Sequence, residues 1–147
     1  MKKIFTLILL VAFGLIAKIE AQTPGDITMI LQKCIDLPDL QQIYPVNNDG
    51  SLKQLNVLQH GGSFPSNTNV SKSGIKVRFV DKNQLAAEEI TSYFLFWEFV
   101  IDNNSAKVDF IYNFMDADNT TKMYHEKLEM RKLGDKWIVS GTKEERR

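Results

Sequence analysis

The sequence predicts an α+β fold, with a short N-terminal helix packed on a curled, mainly antiparallel sheet that ends in a four-stranded meander. Three observations predict it. Runs of alternating apolar and polar residues fill 92–142, the period of strands with one buried face. Turn-forming residues punctuate those runs at 102–105, 115–121 and 134–135. Upstream, Ile27, Ile30, Leu31, Cys34 and Ile35 recur at helical spacing and make one apolar stripe, as a helix lying on a sheet requires.

Lys2 and Lys3 precede an apolar run over 4–17, and Ala21 offers a small residue before Gln22, the layout of a secretory signal peptide. The run is shorter than the roughly 20 residues a membrane span needs. A leader over 1–21 and a single domain over 22–147 are therefore expected, secreted or periplasmic, with no membrane span after cleavage. The chain carries 18 basic and 18 acidic residues. Lys2, Lys3, Lys18 and Glu20 leave with the leader, so the mature domain is slightly acidic and lacks the clustered basic excess of a nucleic-acid surface. Cys34 is the single cysteine. No intramolecular disulfide can form, and its apolar helical position predicts a buried thiol, with an intermolecular bridge as the alternative.

In chain order, Thr23, Pro24 and Asp26 read as a helix start, with Thr as N-cap, Pro at the first position and an acid in the first turn. Leu37 and Pro38 end the helix or bend it into a second turn carrying Leu40, Ile43 and Tyr44. After the turn residues at 47–50 comes an ambiguous segment, 52–58. Leu52, Leu55 and Leu58 fit a helix, whereas Leu55 and Val57 between flanking glycines favour a strand. A Ser, Asn, Pro and Gly-rich loop spans 61–74, Ile75, Val77 and Phe79 alternate as a further strand, and 82–90 reads as a short helix.

The register of the meander follows by counting. With strands at 93–101 and 106–114, Ile101 faces Ala106, Phe99 meets Val108, Trp97 meets Phe110, Leu95 meets Tyr112 and Tyr93 meets Phe114, one continuous apolar face. Phe114 opposite Lys122 sets Val108 beside Leu128 and Ala106 beside Met130, with Asp109–Lys127 and Lys107–Glu129 on the other face. A two-residue turn at Gly134 and Asp135 sets Leu133 opposite Lys136, Met130 opposite Val139 and Leu128 opposite Gly141.

Few motifs carry chemistry. His60, Gly61 and Gly62 occur without the G-x-S-x-G elbow of lipases. His60 and His125 have no metal-ligand spacing, and the acidic loop from Asp116 lacks the glycine and glutamate of a calcium loop, with Thr121 and Lys127 in those places. No metal or cofactor is expected. Asn69, Asn103 and Asn119 begin N-x-Ser/Thr sequons of the kind Asn-rich turns produce by chance. The register puts Glu126 on the core face beside Phe110 and across from Lys143. Such a carboxyl is a weak candidate for general acid or base chemistry, against the plainer possibility of a salt bridge at the sheet rim. On the opposite face Phe94, Phe96, Ile111, Met123 and His125 fall in adjacent rows beyond a charged end formed by Glu98, Lys107, Asp109, Lys127 and Glu129. An exposed apolar cluster of that kind marks a binding surface, unless the 61–74 loop or the strand at Ile75 covers it.

The order of N-terminal helix, Tyr93-x-Leu-x-Trp-x-Phe, Ala106-x-Val-x-Phe-x-Tyr and the Gly134-Asp-Lys-Trp137 hairpin resembles small secreted bacterial α+β proteins. The last strands look like those of NTF2-like and cystatin-like domains. The resemblance implies a curled sheet wrapping a helix and transfers no catalytic residue. Two functions are expected of such a chain. One is a non-enzymatic binding or protein-interaction module, using a protein partner or a homodimer through the second sheet face. The other is a small-molecule carrier or small enzyme with a pocket inside the sheet around Glu126.

Overall fold

The computed structural model describes residues 23–60 and 64–146; the expected leader over 1–21 lies outside the described residues. Helix α1 (Pro24–Ile35) starts as its residues dictate. Thr23 is extended (φ −76°, ψ 141°) and its hydroxyl oxygen accepts the Asp26 N–H at 3.2 Å, with Pro24 at the first helical position. Ile27, Ile30, Leu31, Cys34 and Ile35 are all buried, so the apolar stripe is the packed face. Beyond Leu37, a 3₁₀ turn (Pro38–Gln42) seats Leu40 in the core, and the Tyr44 hydroxyl donates to the Ile35 carbonyl at 2.7 Å. That bond satisfies a carbonyl which the helix end leaves open.

The strands are β1 (Asn56–Leu58), β2 (Ser71–Lys72), β3 (Ile75–Lys76), β4 (Arg78–Val80), β5 (Tyr93–Asp102), β6 (Ser105–Met115), β7 (Thr121–Leu133) and β8 (Lys136–Arg146), with helix α2 (Lys82–Ala87) before β5. One six-stranded sheet runs in the order β4-β1-β5-β6-β7-β8, and β2 with β3 forms a separate hairpin. The sheet is α+β in character and mainly antiparallel, as expected. It is open, with β4 and β8 at its edges, and not curled closed as the sequence reading had it. The ambiguous 52–58 segment yields a strand only at Asn56–Leu58. That strand lies parallel to both β4 and β5, and all three of its residues are buried. A strand flanked on two sides and covered on two faces shows no alternation, which explains its mixed pattern.

The 61–74 loop is part of the core. Phe64, Thr68 and Val70 are buried, and Val77 is buried where the expected 75–79 strand divides between two partners. The β2–β3 hairpin is tied to α1. Gln32 Nε2 donates to the Ser71 carbonyl (2.8 Å), the Ser71 N–H donates to Gln32 Oε1 (3.3 Å), and Lys72 meets Asp36 at 2.8 Å. Helix α2 carries a full capping box, Asp81 with Gln84, and buries no residue.

The core lies between α1 and one sheet face, here called the inner face. Phe94, Phe110, Tyr112, Tyr124, Leu128, Met130 and Trp137 supply its largest sheet side chains. Asp26 is the polar anchor. Its Oδ1 accepts from Trp137 Nε1 (2.9 Å) and from Lys132 (2.8 Å), while Thr23 Oγ1 donates to its Oδ2 (2.8 Å). Burial pushes this carboxyl up, but the hydrogen bonds from Lys132, Trp137 and Thr23 overcome that, so it titrates below its ordinary range. Cys34 is a free, fully buried thiol, its pKa raised by burial. Among the described residues no helix is long and apolar enough to cross a membrane.

Candidate functional site

The two faces of the sheet are set by its registers, and two bulges decide which residues each face receives. Strands β6 and β7 pair as counted from the sequence: Phe114 with Lys122, Asp109 with Lys127, Val108 with Leu128, Lys107 with Glu129 and Ala106 with Met130. Strands β5 and β6 start as counted, with Ile101 opposite Ala106 and Phe99 opposite Val108. The pairing then slips between Glu98 and Phe96, so that Phe96 meets Phe110, Leu95 meets Ile111 and Phe94 meets Tyr112. Trp97 is the extra residue. It stands 66 % exposed, whereas Phe94 is 0 % exposed.

This bulge corrects the expected cluster. Phe94 and Phe96 lie on the inner face, stacked on one another and packed against Phe110. Phe64 closes over Phe96 and Phe99 with ring centroids 5.5 and 5.3 Å away. Ile111 and His125 remain together on the outer face, in one row with Leu95, and Met123 lies in the next row beside Asn113. The physical reason is that β5 is apolar on both sides: an unbulged strand buries Trp97 and exposes two phenylalanines, and the bulge reverses this. The outer face thus carries Leu95, Trp97, Val100, Ile111 and Met123, with Trp97 and Val100 well exposed.

Its charged end is patterned. Asp109 takes His125 Nε2 at 2.7 Å and Lys127 at 3.2 Å. Across one row the order is Glu98, Asp109, Lys127, Lys143; across the next, Lys107 precedes Glu129. The first row runs from acid to base and the second from base to acid.

Glu126 is on the inner face, as expected, but a second bulge at Ser140 changes its neighbour. Leu128 pairs with Thr142 instead of Gly141, and Glu126 lies opposite Glu144 instead of Lys143. Glu126 is 3 % exposed. Tyr124 donates to its Oε2 at 2.5 Å, and its Oε1 is buried with no hydrogen-bond partner. Burial holds this carboxyl above its ordinary range, the Tyr124 bond offsets part of the rise, and the charges of Glu144 and Asp39 add to it. The rim salt bridge weighed from the sequence is replaced by a sealed carboxyl–phenol pair.

A third feature had no sequence signal. Strand β1 meets β5 at one residue pair, Val57 with Phe94. Towards the strand starts an open groove of about 1030 Å³ lies between segments 42–47 and 52–56, the 89–92 turn and the 114–119 loop. Asn56 lines it. That side chain is 6 % exposed, and its Oδ1 is buried without a hydrogen-bond partner.

No metal centre forms: among the described residues no three His, Cys, Asp or Glu side chains gather into one. The Asp116 loop is a self-contained turn, with Asp116 Oδ1 accepting the N–H groups of Asp118 and Thr120 at 3.0 Å each. Asn119 and Asn103 supply the positive φ of their turns (56° and 47°). Fold and faces together define a small α+β domain with a mixed six-stranded sheet, one covered face and one bare one. No protein-family model, curated protein or solved structure matches the chain.

Proposed function

We propose that this is an exported, non-enzymatic binding module that pairs with a second copy of itself through the outer face of its sheet. The observation that carries the reading is Trp97, a tryptophan held two-thirds exposed by a bulge in an otherwise buried strand. Tryptophan is the commonest anchor of protein interfaces, and bulges recur where a strand re-aims a side chain for use. Val100, Leu95 and Ile111 extend the apolar ground around it.

The charge pattern selects the occupant. A twofold axis parallel to the strands, between β6 and β7, lays β6 of one copy on β7 of the other. Lys127 then falls on Asp109, Lys107 on Glu129 and Lys143 on Glu98, each in both directions, as an isologous interface requires. Complementary charges of this kind fix register more than they add affinity, and the apolar residues supply the latter.

Sedimentation velocity over a wide concentration range tests it. The parent chain is expected to dimerise and Trp97→Asp to stay monomeric with an unchanged circular dichroism spectrum. Lys127→Asp weakens the dimer, and the double variant with Asp109→Lys restores it. A chain that stays monomeric at every concentration refutes the pairing.

A further inference from the structure

We propose that the groove between the starts of β1 and β5 binds an extended, uncharged peptide segment by its main chain, with the Asn56 carboxamide accepting an N–H of the ligand. This stands apart from the outer face and does not depend on it. Burial of an acceptor with no partner costs about 1–3 kcal/mol, and native chains retain few such atoms. Asn56 Oδ1 is one, in a residue that lines a groove of about 1030 Å³, at the upper end of the roughly 300–1,000 Å³ of ligand sites.

The walls select the ligand class. Lys53 stands among Glu89 and Asp116, so no single charge sign dominates and an anion or cation finds no cluster. The polar groups are largely amides and hydroxyls, such as Gln54, Asn56, Thr91 and Ser92. The apolar ones are mostly aliphatic, including Val46, Leu52 and Ile90. A sugar ring favours a flat exposed aromatic face. The Tyr44 ring is instead buried edge-on against Phe94 and Tyr112, with its hydroxyl committed to Ile35. Aliphatic sockets alternating with amide groups suit the side chains and main chain of an extended peptide.

The molecule already contains such a pair. The Gln32 carboxamide binds the main chain of strand residue Ser71 with both its atoms, donating to the carbonyl and accepting from the N–H. Asn56 offers the same chemistry at the groove. Its Nδ2 makes only a long bond, 3.3 Å, to the Gln54 carbonyl, and its oxygen is unmet.

The test is an NMR titration of the ¹⁵N-labelled protein with the blocked tripeptide acetyl-Val-Ala-Val-methylamide, and separately with maltose. The tripeptide is expected to shift the Asn56 and Gln54 side-chain amides and the Thr91 and Ser92 backbone signals saturably, and maltose to leave them in place. Asn56→Leu should weaken tripeptide binding at least about tenfold while its urea midpoint holds or rises, because the unsatisfied oxygen is gone. Val46→Asp gives a second variant; at 54 % exposed it alters the wall without touching the core and should also weaken binding. Absence of saturable shifts, equal response to maltose, or unchanged affinity in both variants overturns the assignment.

Discussion

The bulge at Trp97 makes a quantitative claim about which aromatic residues of β5 hold the fold together. Phe94 is fully buried and touches the rings of Tyr44, Phe96, Phe110 and Tyr112, with centroids between 4.5 and 6.1 Å away. A ring of that size removes roughly 150 Å² from water, about 4 kcal/mol at ~25 cal/mol per Å². Phe94→Ala should therefore cost about 3–5 kcal/mol, a large part of the roughly 5–15 kcal/mol that a domain has. Trp97→Ala, despite removing the larger side chain, should cost no more than about 0.5 kcal/mol, because the ring is already in water. Urea unfolding followed by circular dichroism, in dilute solution, measures both. The two tryptophans give an independent readout, since Trp137 is 1 % exposed: in Trp97→Phe the remaining emission should be blue-shifted and resist iodide quenching. If Trp97→Ala loses several kcal/mol and Phe94→Ala almost none, the strand runs without the bulge and the two faces are exchanged.

Further outcomes follow from the buried polar groups. The folded pKa of Glu126 lies above its ordinary 4.5, so the folded state binds the extra proton. Stability then falls as pH rises from about 4.5 through the raised value, and Glu126→Gln should abolish that fall and exceed the parent above it, as urea midpoints against pH will show. Asp26 behaves in the opposite sense. Its folded pKa lies below the ordinary 3.8, so its contribution is complete above that value and is lost as pH falls through the lowered one. Asp26→Asn should cost about 1.5–3 kcal/mol at neutral pH and flatten the acid limb of the same profile. Thr23→Ala removes the N-cap and should cost about 1 kcal/mol by urea unfolding. Cys34 should resist thiol reagents in the folded protein and react once urea unfolds it, since burial raises its pKa and hides it.

The parts of the fold legible in the sequence are those where one pattern admits one answer. The α1 stripe and its Thr23-Pro24 start are local and unopposed, and they form as written. The β6–β7 register was doubly specified, by Val108 with Leu128 on one face and Asp109 with Lys127 on the other. Strand β5 offered no such arbitration. The run Tyr-Phe-Leu-Phe-Trp is apolar at odd and even positions alike, so alternation could not say which side was inner. Only packing against Phe64, brought in from a loop distant in the chain, distinguishes Phe96 from Trp97. The consequence for the candidate site is direct: Ile111, Met123 and His125 kept their face, while Phe94 and Phe96 left it. The groove was invisible for a different reason. It arises where β1 and β5 diverge after a single pairing, and neither strand records that parting in its own residues.

The position of β1 also dictates an order of events in time. Strands β5 to β8 are joined by three successive hairpins and can zip from local contacts, which is the fast kind of assembly. Strand β1 is made first yet must wait for them, because both its neighbours follow it in the chain and it pairs with each in parallel. A chain emerging N-terminus first therefore holds Asn56–Leu58 without a sheet to join until residues beyond Phe94 have appeared. That interval, set by topology alone, is when this short apolar strand is most open to capture by something else.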